Sequence, residues 1–188
     1  WVLAACLLSL FGDAAGLLTA IRGVNNQWLS YLVTPLLGAT MLGALAEWQP
    51  TEAERTGVRT TAVLLLVTSL VLALVVEDRG NFSRFALPLA ALLVLAGAVY
   101  TLVRRGASGE RSELVRQDWF WVGAGFAVYG MVTAAYFPLL AVLTPIDVTF
   151  VGAVLQFKAI MVLLAFGLVG WGVACRTSDR SSGRFSLS

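Results

Sequence analysis

The 188-residue chain has no histidine, a single lysine and two cysteines, and only 13% of its residues are charged. Each shortage removes a class of chemistry. Without histidine there is no His-ligated haem or chlorophyll, no zinc site of the His type and no histidine proton relay. The usual general base is missing as well. Cys6 and Cys175 form no CxxC pair and fall in or at the end of apolar runs, where they read as small membrane-buried residues. No GxSxG, HExxH or P-loop occurs, so the chain is not expected to be an enzyme and no metal is expected. The net charge of +2 comes with no dense basic cluster, so nucleic acid is not an expected partner.

What the chain has in excess is apolar length. It is 59% hydrophobic with a mean hydropathy of +0.83, where a soluble domain is about 45–50% apolar. The excess falls in runs of about twenty residues, the length of a helix crossing a hydrocarbon core of about 30 Å. The expected fold is all-α: a polytopic transmembrane helix bundle with spans at 2–21, 28–46, 60–76, 85–103, 119–143 and 145–174. The bundle takes residues 1–175, and the Ser/Arg-rich 176–188 is expected to be a disordered tail. Residues 1–11 show neither the charged start nor the cleavage site of a signal peptide, so an upstream start with room for a seventh helix is expected. The 47–59 loop, the 104–118 loop and the tail hold two, four and three arginines, against three on the opposite side. That bias puts those loops and the tail in the cytoplasm of a bacterial inner membrane. All six tryptophans lie near run ends, as an aromatic belt requires.

Residue spacing adds detail. Cys6, Ser9, Asp13, Gly16 and Ala20 share one face of the first span, which should turn toward other helices. The third span is almost wholly aliphatic and is the best candidate for a lipid-facing helix. Gly123, Ala127, Gly130 and Ala134 form a small-residue stripe that permits close backbone approach. Pro35 and Pro138 are expected bending points. Thr144-Pro145-Ile146-Asp147 reads as a helix start.

Two charges stand inside the apolar runs. Lys158 is the only lysine, and a cation at such depth costs about 2.5–3.5 kcal/mol on insertion scales. Asp13 lies about 13 Å before Arg22, and Lys158 about 20 Å after Pro145, at 1.5 Å per residue. Both reference ends belong to the same side, so both charges come near mid-bilayer. An Asp13–Lys158 ion pair is expected, with Ser9, Thr34, Tyr129 and Gln156 as hydrogen-bonding support. Three arrangements are open: a structural clamp, a gated pair whose protonation drives transport or signalling, and charges that stay apart because Lys158 snorkels.

The lysine midway along the last span resembles the retinal Schiff-base lysine of rhodopsins, which would make Asp13 a counter-ion. The third and fourth spans lack the carboxylates and arginine that the microbial family carries in its third helix. Asp13, Asn25-Asn26 and Trp28-Leu29 together resemble uncharacterised bacterial multi-pass families, which implies no activity. The function expected is a non-catalytic membrane subunit or scaffold, packed against lipid, another membrane subunit or an apolar carotenoid-like pigment. The alternatives are a small transporter or channel with Asp13 and Lys158 at a midplane site, or a membrane sensor.

Overall fold

The computed structural model describes residues 1–23, 27–77, 83–107, 117–143 and 148–182. These form six helices and, among the described residues, no strand: α1 Val2–Ile21, α2 Gln27–Glu47, α3 Glu52–Val75, α4 Ala86–Ala107, α5 Asp118–Leu143 and α6 Val148–Ser182. All six are long and apolar enough to cross a membrane. The proposed helix start at 144–147 and the Asn25-Asn26 pair lie outside the described residues.

Two boundaries move because polar residues also build helix. Residues 52–59 belong to α3, which begins on a reciprocal cap: Thr51 Oγ1 accepts from the Glu54 N–H, and the Glu54 carboxylate accepts from the Thr51 N–H. α6 continues past Cys175 to Ser182. α2 and α5 stay helical through Pro35 and Pro138.

α2 and α4 form the centre. α2 packs on α1, α3 and α4, while α4 packs on α2, α3 and α5, and α6 rests on α5. Leu37, Met41 and Leu45 of α2, Ala90 and Val94 of α4, and Phe126 of α5 fill the core between them. Ala62, Leu65, Ser69 and Ala73 form the one buried stripe of α3, and its other faces carry exposed Val and Leu. α1 and α6 are covered even less than α3, contrary to the reading of α3 as the most lipid-facing helix. The reason is connectivity: each outer helix leans mainly on a single neighbour. Trp1, Trp28 and Trp171 are exposed near the ends of apolar spans, whereas Trp119 is buried in the packing and does not serve a belt.

α5 is held from both sides by contacts only glycine permits. A methyl group on Gly130 would lie 2.9 Å from the Ala91 carbonyl oxygen of α4, and one on Gly123 would lie 3.0 Å from the Leu102 side chain. Ala127 and Ala134 on the same stripe are half-buried. On the other side, a methyl on Gly125 would lie 2.5 Å from the Ala165 carbonyl oxygen of α6. In lipid, such backbone approach is a main source of helix association.

Polar networks close both ends. At the arginine-rich end, Glu54 accepts from Arg104 at 2.7 Å and from Tyr100 at 3.1 Å, and Arg59 pairs with Glu47 at 2.9 Å. Buried Gln49 donates to Thr101 Oγ1 at 2.8 Å, tying the α2–α3 turn to α4. At the opposite end Glu77 caps α4: its carboxylate accepts from the Arg84 and Ala86 N–H groups at 2.9 and 3.0 Å and from the Ser83 hydroxyl. Burial pushes this carboxyl up, but the Phe85 and Ala86 N–H groups, with Ser83 and Tyr31, hold it below the usual glutamate range.

Two predictions follow from this packing. Gly125→Ala should cost about 1–3 kcal/mol by overpacking, read as denaturant unfolding in detergent. Gly167→Ala, where a methyl meets nothing within 4 Å, should cost nothing; equal effects at the two sites would refute the α5–α6 contact. Because the folded pKa of Glu77 is depressed, its stabilisation is complete above the ordinary glutamate value of 4.5 and disappears as pH falls through the folded value. Glu77→Gln should weaken that part of the acid sensitivity in a thermal-unfolding series from pH 7 to pH 3.

Candidate functional site

α1 and α6 are separated by a cleft whose floor is α2 and α5. Its middle holds a polar cavity of about 290 Å³. The α1 wall is Ser9, Gly12, Asp13 and Gly16, spaced so that all four fall on one helix face. This is the small-polar face expected to look inward. α2 contributes Ser30 and Thr34 one turn apart, between Leu29, Val33 and Leu37. α5 adds Tyr129 and Phe137, and α6 adds Lys158 and Val162. The geometry thus brings together Asp13, Lys158, Ser9, Thr34, Tyr129 and Gly16 from the sequence reading.

Asp13 and Lys158 attract each other across this space. They do not touch. Among the described residues the ion pairs within 4 Å are Arg55–Glu52, Arg59–Glu47 and Arg104–Glu54. The expected contact pair is therefore replaced by two charges facing one cavity. The physical reason is the same connectivity as above: α1 packs mainly on α2 and α6 on α5, so nothing draws the α1 and α6 backbones together. Asp13 is exposed at the mouth, with the Ser9 hydroxyl one turn earlier as a partner.

Gln156 does not join the site. It is exposed on the outer side of α6. Two residues along a helix turn the chain by about 200°, so Gln156 and Lys158 cannot share a face.

Lys158 has a partner the sequence reading missed. Its Nζ lies 4.0 Å from the centroid of the Tyr136 ring and 5.2 Å from that of Phe137. A cation over an aromatic face gains about 2 kcal/mol or more when water is excluded. Tyr136 and Phe137 are themselves buried with Leu87 and Leu140, so the rings are fixed. No hydrogen-bond acceptor among the described residues meets the ammonium, so its N–H donors remain available. A depth count would have found these rings. Tyr136 lies seven residues before the end of α5 and Lys158 ten residues after the start of α6, so both sit about 10–15 Å from the same connection.

Toward the arginine-rich end lies a second cavity of about 690 Å³. It uses the same four helices: Val2 and Cys6 of α1, Ala44 of α2, Val122 of α5, and Phe166 and Val169 of α6. Its walls are mostly apolar, with Glu47 and Asp118 among the lining residues.

Among the described residues no three His, Cys, Asp or Glu side chains gather in a metal-binding group. No protein-family model, curated protein or solved structure matches this chain.

Proposed function

We propose that this chain is a non-catalytic multi-pass membrane protein whose working part is the cleft between α1–α2 and α5–α6, a midplane charge site of the kind a small transporter uses. The observation that carries this reading is that Asp13 and Lys158 line one cavity of about 290 Å³ without forming an ion pair. A structural clamp gains its stability from contact, since two dehydrated charges need good geometry to offset their lost hydration. Charges kept apart on the wall of a polar cavity instead mark a substrate or ion path. In a bilayer the cleft around exposed Asp13 holds water, because a carboxylate facing hydrocarbon is too costly. The arginine excess favours an orientation with the 47–59 and 104–118 segments on the cytoplasmic side, as in a bacterial inner membrane.

A scaffold role keeps one observation in its favour. The 690 Å³ chamber and the long apolar faces of α1 and α6 suit lipid, an apolar pigment or a neighbouring membrane subunit.

Two measurements separate the charge site from the clamp. In a double-mutant cycle, Asp13→Asn and Lys158→Met should couple by less than about 1 kcal/mol in unfolding free energy, as opposite charges facing each other across water do; a larger coupling would restore the clamp. In a chain with Cys6 and Cys175 replaced by alanine, Asp13→Cys should react with a charged, membrane-impermeant thiol reagent in proteoliposomes. Leu163→Cys, 74% exposed on the apolar surface, should not. If neither position reacts, the cleft does not hold water.

A further inference from the structure

The ligand class can be read from what the cavity leaves unsatisfied. On one wall is an ammonium resting against the Tyr136 and Phe137 ring faces. The rings attract the cation through their quadrupole but leave its charge uncompensated, so the N–H donors of Lys158 can still bind an anion. On the other wall is the Asp13 carboxylate, oriented toward the same space and able to accept from a cation. The side chains of Ser9, Ser30 and Thr34 line the same cavity. A simple anion would satisfy Lys158 and be repelled by Asp13. A simple cation would face the reverse conflict. A molecule carrying both charges satisfies both walls and remains neutral overall, which lowers the cost of holding it inside a membrane.

We infer that the polar cavity binds a small zwitterion, with its ammonium against Asp13 and its carboxylate against Lys158. The inference rests on the charge-site reading given above and adds the substrate class. Size agrees: about 290 Å³ lies at the lower limit of the roughly 300–1,000 Å³ common for small-molecule pockets, which suits an amino-acid-sized ligand. A zwitterionic lipid headgroup is disfavoured by depth. Asp13 stands eleven residues from the start of α1 and eight from its end, or about 12–17 Å from either end.

The test uses the purified full-length chain in mild detergent, with glycine, β-alanine and 4-aminobutyrate as probes of increasing charge separation. Acetate and methylammonium serve as single-charge comparators at equal concentration. At least one zwitterion should raise the thermal midpoint by about 3 °C or more, and neither comparator should. The shift should vanish in Asp13→Asn and in Lys158→Met. Should either variant fail to fold, Thr34→Leu keeps both charges, fills the space between them and should also abolish the shift. The inference is overturned if no zwitterion acts, if acetate or methylammonium alone reproduces the shift, or if the shift survives removal of either charge. Thiol labelling of Asp13→Cys without any zwitterion effect would overturn the ligand class while leaving the water-filled charge site standing. Absence of both would remove the site itself.

Discussion

Helices in a bilayer gain nothing from turning leucine toward leucine, since the lipid tails are equally apolar. Association must come from shape and from close approach of backbones. In this chain that requirement falls on α5. Gly123 and Gly130 bring one of its faces onto α4, and Gly125 brings another onto α6. The α6 backbone at Ala165 and Val169 is thereby set against Gly125, and Lys158, two turns before Ala165 on the same helix, is delivered over the Tyr136 and Phe137 rings. The position of the intramembrane cation is a consequence of where a glycine lets two backbones meet.

Polar interactions divide between the ends and the middle, and they do different work. At the ends they are made between named partners: Glu54 with Arg104, the Gln49 side-chain N–H with Thr101, and Glu77 with the first N–H groups of α4. These contacts hold the turns and so hold α2, α3 and α4 as one body. In the middle they are left incomplete. α1 leans on α2 and α6 on α5, and the space between them keeps a carboxylate and an ammonium apart. Such a layout costs stability that the closed ends supply. A cleft between two outer helices that each rest on a single neighbour is also where a small shift alters the distance between charges with the least disturbance to the core.

Much of the fold was legible because hydrocarbon imposes a single length and a single composition on whatever crosses it. All six runs appear as helices. The inward face of α1 was legible for the same reason, since Ser9, Asp13 and Gly16 have only one inexpensive direction to turn. Residues 52–59 were less legible. Their polar composition suggested a loop, although Thr51 and Glu54 carry the spacing of a reciprocal helix cap. Gln156 was misplaced by treating nearness in sequence as nearness in space, whereas two residues on a helix point away from each other. The aromatic seat of Lys158 went unnoticed because attention to charge looked for an opposite charge, and a ring face is an alternative answer.

Apolar run length and rise per residue are properties of a single helix, so they already set the solvent, the number of described crossings and the depth of the two charges. Whether Asp13 and Lys158 meet, which groups share their cavity and which rings lie beneath the ammonium depend on how the helices pack. Those are distances between helices, and they are fixed by where small residues on α5 let neighbours approach and where, between α1 and α6, nothing does.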